Sequence, residues 1–348
     1  MTSHMIQLKR KDKINVLSKL YEKTKDFIIK NKIFIIIMIT TILISTIEFP
    51  YYIESPGGII DISDKIDIST NYKNTGSLNL AYVTEYKATI PTLIAAKFNK
   101  DWVINKSDTS DNNTTDENMY LRNHIMLDEA NFNATKVALD KANINYEIKE
   151  KKLYVTYILN EAQTDLRVGD IITKIDNQNI NSKKKLKELL NKSNNDTVTF
   201  NVLRDNKEIV CKAKWIIYDN KEVIGFTLSE VGKIKTTSNI TFHFNKNESG
   251  PSGGLMMSLA IYNALTNKDI THARKIVGTG TIDSEGNVGE IDGISFKLKG
   301  AVKEHVDIFL APAGKNYDEA IKLAKENNYK IKIYSVSTFD EALNILEQ

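Results

Sequence analysis

The sequence predicts an α/β protein with mixed sheets and helices, carried behind one N-terminal helix that crosses a membrane. Three observations predict this fold class. A chain of 348 residues is long enough for two domains and an anchor. Residues 33–47 (IFIIIMITTILISTI) carry no charge. After them, short runs of alternating apolar and polar residues interleave with stretches of helical periodicity, which is typical of strands mixed with helices.

The composition is that of an ordinary globular protein and excludes several classes. Charged residues make up 26% of the chain and hydrophobic residues 41%, so neither a disordered chain nor a protein with many membrane spans is indicated. The net charge of +3 is too small to predict nucleic-acid binding. Cys211 is the single cysteine, so no intrachain disulfide can form. The five histidines lack the spacing of metal ligands, and we predict no metal and no cofactor.

The apolar run is predicted to be one transmembrane helix, assigned to residues 33–49. At 1.5 Å per residue the run spans roughly 22 Å, less than the roughly 30 Å of a hydrocarbon core. The gap is closed by flanking lysines and interfacial aromatic residues, namely Lys30, Lys32, Phe49, Tyr51 and Tyr52. A cleaved signal peptide and a buried core helix are the alternatives. Residues 45–50 offer no A-x-A-like cleavage site, which favours the anchor.

The charges on either side of this run predict its direction. Lysine and arginine dominate residues 1–32, whereas acids follow the run at Glu48, Glu54, Asp61 and Asp64. By the positive-inside rule, residues 1–32 are a basic cytoplasmic tail and everything after Pro50 is extracytoplasmic. A basic tail that is simply solvated is the plainer alternative.

Residues 50–145 are predicted to begin the extracytoplasmic part. Gly76–Thr84 alternates apolar and polar residues as a strand does. Lys106–Asn118 is polar throughout and is predicted to be a surface loop. Met119–Asn143 has helical spacing without proline or glycine, so one long helix is expected there.

Residues 146–216 form a compact unit in the sequence. Its elements are a strand at Tyr154–Ile158, the stretch LRVGDIITKIDNQNI from Leu166, a short helix capped by Ser182, and a closing pair of strands at Thr197–Leu203 and Glu208–Trp215. The unit resembles a PDZ domain, with Gln178 standing where the family often has glycine. The resemblance implies that it binds extended peptides as an added strand. A unit that only packs against its neighbour is the alternative.

Glycines surround Ser252 in the segment GPSGG, which precedes an apolar helical stretch. Such a turn can expose the serine oxygen, and Gly250, Pro251 and Gly253 belong to the loop whose backbone N–H groups would stabilise an oxyanion. The N-terminus of the helix adds partial positive charge. A plain loop followed by a capped helix is the alternative.

A serine nucleophile also needs a base, and Lys297 is the candidate. The histidines near Ser252 in sequence, His243 and His272, lie in polar surroundings, and no G-x-S-x-G motif occurs. Burial can bring a lysine pKa from about 10.4 toward neutrality. Lys297 shares a helical face with the small residues Gly300 and Ala301, which would allow another helix to approach closely.

Four segments in order resemble the proteolytic domain of Lon proteases: GPSGG, VGTGTIDSEGNVGEIDGI from Val277, the helix of Lys297, and VDIFLAP from Val306. The resemblance implies that Ser252 is the nucleophile, that Lys297 completes a Ser/Lys dyad and that Thr279 supports the lysine. Two departures stand out, since Gly254 replaces the usual alanine and Ser295-Phe296 replace more polar residues.

The whole arrangement is similar to the PDZ-containing Lon-like proteases of Gram-positive bacteria. It implies a Lon-type domain at residues 217–348, with the strand near Leu78–Val83 in the same domain and the PDZ unit inserted between them. Within 307–348, the sequence predicts a strand (Asp307–Ala311), a helix (Tyr317–Asn327), a strand (Lys330–Val336) and a final helix that Thr338 and Glu341 start as a capping box.

The function that the resemblance implies is an endopeptidase of the membrane surface. No G-x-x-x-x-G-K-[ST] motif occurs in the sequence, so we expect no use of ATP. Peptide and protein substrates are expected, either exported or associated with the membrane. An inert PDZ scaffold is the first alternative, and a small-molecule kinase of related fold is the second.

Overall fold

The computed structural model describes residues 18–69, 74–106, 115–193 and 195–348. Its contacts divide these residues into two compact units. The first unit holds residues 18–53 and 86–106, and the second holds 54–85 and the residues described from 115 onward. Residues 1–17 of the predicted tail and 107–114 of the predicted polar loop lie outside the described residues.

The helices and strands of both units are numbered along the chain. The helices are α1 (Ser18–Lys30), α2 (Lys32–Ser45), α3 (Ile90–Phe98), α4 (Asp116–Lys141), α5 (Lys183–Leu190), α6 (Gly254–Thr266), α7 (Ile294–Lys303), α8 (Lys315–Glu326) and α9 (Phe339–Glu347). The strands are β1 (Glu48–Asp61), β2 (Ile66–Ile68), β3 (Ser77–Thr89), β4 (Val103–Lys106), β5 (Tyr146–Ile158), β6 (Ile171–Ile175), β7 (Gln178–Asn179), β8 (Thr197–Arg204), β9 (Lys207–Lys214), β10 (Ile216–Tyr218), β11 (Lys221–Val223), β12 (Phe226–Thr236), β13 (Ile240–Phe242), β14 (Lys275–Gly278), β15 (Thr281–Ile282), β16 (Val288–Gly289), β17 (Ile308–Pro312) and β18 (Lys332–Val336).

The helix of the apolar run ends earlier than the sequence predicts. It stops at Ser45, and Glu48 already belongs to β1, because Pro50 cannot continue a helix and biases the residue before it toward extended backbone. In the described ranges, no single helix is both long and apolar enough to cross a bilayer. Taken together, α1 and α2 have the length and the apolar composition of a membrane span, but there is a bend of 79° between them. A spanning helix therefore stays a prediction.

The large sheet has the strand order β18-β17-β14-β3-β1-β4. β14 pairs in parallel with both β3 and β17, with Ile276 opposite Leu78, which confirms that the predicted strand near Leu78 belongs to this sheet. Alternate residues enter two different cores. Ile276 packs in the core shared with α4, α6 and α9, whereas Val277 packs in the core shared with α7 and α8. Both faces of these strands are thus covered, as expected for a parallel sheet.

The second sheet is antiparallel, in the order β12-β5-β6-β8-β9, and it encloses a core of its own with α5. The predicted cap of α5 is confirmed, since the Ser182 side chain accepts a hydrogen bond from the backbone N–H of Lys185. The sheet continues past the predicted boundary at residue 216, because β12 forms its edge. Two register shifts interrupt β12, so its apolar residues do not alternate regularly and the sequence pattern did not indicate a strand.

The final helix, α9, starts with only half of the predicted capping box. Thr338 Oγ1 accepts the N–H of Glu341, as predicted. The Glu341 carboxylate accepts the backbone N–H and the hydroxyl of Ser337 at 2.8 and 2.6 Å. The reciprocal bond is therefore shifted by one residue toward the N-terminus.

A buried ion pair holds the turn at the centre of the LRVGD motif. Asp170 is 1% exposed, and its two carboxylate oxygens accept hydrogen bonds of 2.7 Å from Nε and Nη2 of Arg204. The backbone N–H of Arg167 donates to the same carboxylate at 2.8 Å. The motif thus encodes an acceptor for an arginine from β8.

Replacing Arg204 with methionine should lower the free energy of unfolding by about 3 kcal/mol or more, because the Asp170 charge would stay buried without its partner. Urea unfolding followed by circular dichroism measures the loss. The control is Arg167→Met, since that side chain is exposed. Equal free energies of unfolding for the two variants would show that the Asp170–Arg204 ion pair does not contribute the expected stability.

Candidate active site

Ser252 lies in a turn immediately before α6, and its hydroxyl is not used to cap that helix. The N-cap residue is Gly253, and no side chain caps the helix. Within the described ranges, the structure records no hydrogen bond of Ser252 Oγ. The Ser252 side chain therefore does not cap α6, in contrast to the alternative reading of the sequence. Its Oγ atom stays available beside the positive end of that helix.

The backbone of Ser252 is fixed to the end of β14. Its carbonyl accepts the N–H of Gly280 at 2.8 Å and the hydroxyl of Thr279 at 3.1 Å. In return, the N–H of Leu255 donates to the Gly280 carbonyl at 3.1 Å. The turn that carries the serine is thus held in place by the sheet rather than by its own loop.

Lys297 is the buried amine of the site. It projects from α7 and is 4% exposed. Its Nζ donates to Thr279 Oγ1 at 3.1 Å, so the Thr279 hydroxyl joins the lysine to the carbonyl of Ser252. Burial lowers the pKa of Lys297 from 10.5 to about 8, against the opposing effect of the Asp292 carboxylate. A substantial neutral fraction is therefore present near pH 8.

The close packing at Gly300, one turn after Lys297, is made by a strand, not by a helix as the sequence analysis expected. A Cβ atom at Gly300 would lie 3.3 Å from backbone atoms of Gly57 and Gly58 in β1. A glycine is needed there because β1 itself has two adjacent glycines that bring its backbone close to α7. The small residue was recognised correctly, but its partner was wrong.

Ser252 and Lys297 open onto the same cavity of about 740 Å³ in the second unit. Gly250 and Gly253 also line it, whereas Pro251 does not. In the described part of the chain, no hydrogen bond joins Ser252 Oγ directly to Lys297 Nζ. A substrate group bound in this cavity can nevertheless approach both side chains.

The predicted oxyanion donors are only partly available. The N–H of Gly250 donates to the carbonyl of Asn123 at 3.0 Å, and Pro251 has no N–H. Among the described residues, the N–H groups of Ser252 and Gly253 have no acceptor. The candidate donors are therefore the N–H groups of Ser252 and Gly253, while Gly250 ties the loop to α4. The role of Asn123 left no signal in the sequence, because a backbone carbonyl carries no residue preference.

Acidic residues line part of the cavity wall, and the sequence analysis missed them. Glu54, Glu85 and Asp292 all face the cavity. Partial burial raises the pKa of Glu85, the Glu54 carboxylate adds to this effect, and Arg122 opposes it. Asp292 stands five positions before Lys297, just ahead of α7. Its position near the lysine could therefore have been predicted from the sequence.

The departure at Gly254 has a steric cause. A Cβ atom at this position would lie 2.8 Å from Ile282 Cγ2 and 2.9 Å from the Ile282 backbone nitrogen. An alanine would therefore force β15 away from the start of α6. The other departure is also accommodated, because the hydroxyl of Ser295 donates to the carboxylate of Glu319 on α8.

Comparison with known proteins finds two domain families in the chain. Residues 233–347 match the model of the Lon protease (S16) C-terminal proteolytic domain, and residues 143–214 match that of a PDZ domain. The chain therefore contains a region similar to the Lon proteolytic domain and a region similar to a PDZ domain. All three predicted chemical residues, Ser252, Thr279 and Lys297, lie inside the Lon-type match.

Individual relatives of this Lon-like chain are similar over limited regions. The Lon protease of Endomicrobium trichonymphae is 28% identical over 113 residues, which cover 31% of this chain and 14% of that protein. The PDZ domain of an SdrC-like protein from Listeria monocytogenes is 24% identical, covering 24% of this chain and 92% of its own, with a TM-score of 0.21. The second domain of another Listeria protein is 22% identical, covering 24% and 88%, with a TM-score of 0.20.

The PDZ domain has an apolar groove of about 540 Å³ between α5 and β12. Leu186 and Leu190 of α5 face it from one side, and residues 224–228 from the other. Trp215 contributes an indole ring, and Lys183 and Lys187 are also part of the wall. The segment 224–228 lies beyond the predicted end of the unit, so the sequence analysis did not connect it with peptide binding.

Replacing Lys297 with methionine should make the Lon-like domain more stable at neutral pH. Between pH 8 and 10.5 the unfolded chain holds a lysine proton that the folded chain has released, so stability rises with pH in this window. Below pH 8 the full penalty applies, about 3 kcal/mol for this shift. We expect Lys297→Met to gain stability at pH 7 and to lose this advantage between pH 8 and 10.5, measured by urea unfolding.

Lys303→Met is the matched control, because Lys303 is exposed on the same helix. It should show no such pH dependence. If Lys297→Met were no more stable than the parent at pH 7, burial of the charged lysine would not destabilise the folded state as expected.

Proposed function

We propose that the chain is an ATP-independent serine endopeptidase in which neutral Lys297 activates Ser252. The observation that carries the proposal is the burial of Lys297 against Thr279, in the same cavity that exposes Ser252. A buried amine with a lowered pKa is what a serine nucleophile requires when no histidine is present. The absence of a G-x-x-x-x-G-K-[ST] motif from the sequence supports independence from ATP.

The reaction follows from these groups. Lys297 Nζ takes the proton of Ser252 Oγ as that oxygen attacks the peptide carbonyl. The N–H groups of Ser252 and Gly253 hold the oxyanion of the tetrahedral intermediate. The lysine then gives its proton to the leaving amine, which leaves an acyl-enzyme. Water deprotonated by the same lysine releases the acyl group and restores the serine hydroxyl.

Thr279 acts as a positioning residue in this scheme. Its hydroxyl accepts from Lys297 and donates to the Ser252 carbonyl, so it sets where the amine lies relative to the serine turn. The buried amine also needs an acceptor, because an unsatisfied buried polar group costs about 1–3 kcal/mol. One hydroxyl thus meets both requirements.

Cleavage of casein by the full chain tests the dyad. Ser252→Ala and Lys297→Ala should each abolish activity above background, while Ser284→Ala should leave it unchanged because Ser284 is exposed outside the cavity. The parent rate should rise with pH and level off above about 8, since only the neutral lysine is a base. Circular dichroism checks that each variant is folded.

Two outcomes would oppose the proposal. Full activity in Ser252→Ala would exclude this serine as the nucleophile. A folded parent with no activity between pH 7 and 9.5 would favour the alternative of an inert PDZ scaffold.

We propose further that the PDZ groove selects the substrate. Support comes from β12, which in the described residues pairs with β5 on one side only. A peptide strand can add to its other edge on the stretch before Glu230, whose N–H already donates to Glu129. The apolar side chains of α5 form the opposite wall. Lys187 of the groove complements a peptide carboxylate, whereas Lys183 already pairs with Glu129. Exported peptides and membrane-associated proteins are the proposed substrates.

A Leu190→Asp substitution tests this role of the groove. A carboxylate in the apolar wall should weaken binding by tenfold or more, because it removes an anchoring contact and repels the peptide terminus. Fluorescence anisotropy with a labelled decapeptide ending in Ala-Leu-Val measures the affinity. Lys184→Asp is the control, an exposed residue of the same helix outside the groove. Equal affinities would oppose peptide binding here.

The location of the enzyme is also a proposal. α2 is apolar along its length and has no buried residue, which a helix in water does not tolerate. We place it in the cell membrane as a single span, with residues 1–32 in the cytoplasm and the peptidase outside. Flotation of the full chain with lipid vesicles is the direct test.

A further inference from the structure

The first unit has a second apolar surface, on α3, that the sequence analysis did not identify. Along the outer face of this helix lie Pro91, Ile94, Ala95 and Phe98, at positions three and four residues apart. Ile94 is 55% exposed and Phe98 is 85% exposed. The inner face packs through Leu93 and Ala96 into the small core of this unit. α3 is therefore apolar on both faces, although only one of them is covered.

The strand that follows α3 also exposes apolar side chains. Val103 and Ile104 of β4, which point to opposite faces of the strand, are each 43% exposed. Trp102, immediately before β4, packs edge-on against Tyr86 with ring centroids 5.7 Å apart. Around these apolar residues are three exposed lysines, Lys97, Lys100 and Lys106. Trp102 itself packs against the small core of the unit, beside the exposed residues. An exposed apolar helix face accompanied by lysines is the composition of a surface that enters the headgroup region of a bilayer.

The surface is continuous with α2. Within the first unit, α3 contacts α2. The end of β3 is held to the start of β1 by an ion pair, Lys87 Nζ to Glu48 Oε2 at 3.2 Å. β1 begins shortly after α2 ends, and α3 begins where β3 ends. The start of α3 therefore lies near the C-terminal end of α2.

We propose that α3 and β4 form a second bilayer-contacting element, which lies in the lipid interface beside the C-terminal end of α2. The partner is a lipid surface with anionic headgroups, because the positive charges of the three lysines attract them. The proposal rests on the proposed insertion of α2. It also accounts for the shortness of that helix, since its 14 residues span about 21 Å against a hydrocarbon core of roughly 30 Å. Apolar contact beside a short helix reduces the cost of the mismatch.

Tryptophan quenching in vesicles tests the proposal. The chain has two tryptophans, so Trp215→Phe leaves Trp102 as the single indole. The full chain with this change is reconstituted into vesicles of phosphatidylcholine and phosphatidylglycerol that carry bromine at defined acyl positions. We expect Trp102 to be quenched most strongly by bromines close to the headgroups.

The pair of changes Ile94→Asp and Phe98→Asp should remove this quenching while the protein still floats with the vesicles through α2. Ile217→Asp is the matched control, because Ile217 is 73% exposed on β10 of the other unit. It should leave the quenching unchanged.

The outcomes separate this proposal from the anchor itself. A chain that floats with unquenched Trp102 overturns only the role of α3 and β4. A chain that does not float overturns the anchor and this element together. Trp102 fluorescence that changes with protein concentration but not with bromolipid would identify a second copy of the chain as the occupant of this surface. That result would also overturn the proposal.

Discussion

The architecture of the Lon-type domain depends on keeping one amine out of water. Lys297 is 4% exposed, and a lysine in that setting must find a hydrogen-bond acceptor and become easier to deprotonate. The acceptor is Thr279, which is itself fully buried at the end of β14. The glycine contact between α7 and β1 closes the other side. The two cores on either face of the large sheet supply the stability that offsets this burial.

One helix, α4, supports both the serine loop and the peptide groove. Near its start, the carbonyl of Asn123 accepts the N–H of Gly250. Two turns later, the Glu129 carboxylate accepts the N–H of Glu230 in β12 at 2.8 Å and pairs with Lys183 Nζ at 2.5 Å. Both walls of the groove, β12 and α5, therefore contact the helix that fixes the serine loop. The Lon-type and PDZ segments are separate sequence matches, but α4 connects them physically.

The sequence predicted those parts of the structure that depend on side-chain chemistry. The cap at Ser182 and the strand at Leu78 follow from residue types and spacing. The placement of Lys297 beside Thr279 follows instead from the resemblance to Lon proteases. Contacts made by the backbone left no such signal, as the carbonyl of Asn123 shows. Irregular strands were missed for a related reason, since the bulges of β12 break the period of two. α3 was missed because its nine residues are apolar on both faces apart from Thr92 and Lys97, so the pattern of an amphipathic helix is weak.

A base made by burial is more fragile than a histidine. At pH 7, a lysine of pKa about 8 is neutral about a tenth of the time, whereas one at its ordinary pKa of 10.5 is neutral less than once in a thousand. Admission of water around α7 would thus reduce the fraction of active base by roughly two orders of magnitude, without moving any catalytic atom. In the proposed mechanism, the packing that excludes water around α7 would therefore act on the rate through the proton equilibrium of the lysine. The burial of Lys297 and the proposed reactivity of Ser252 are thus linked by one pKa.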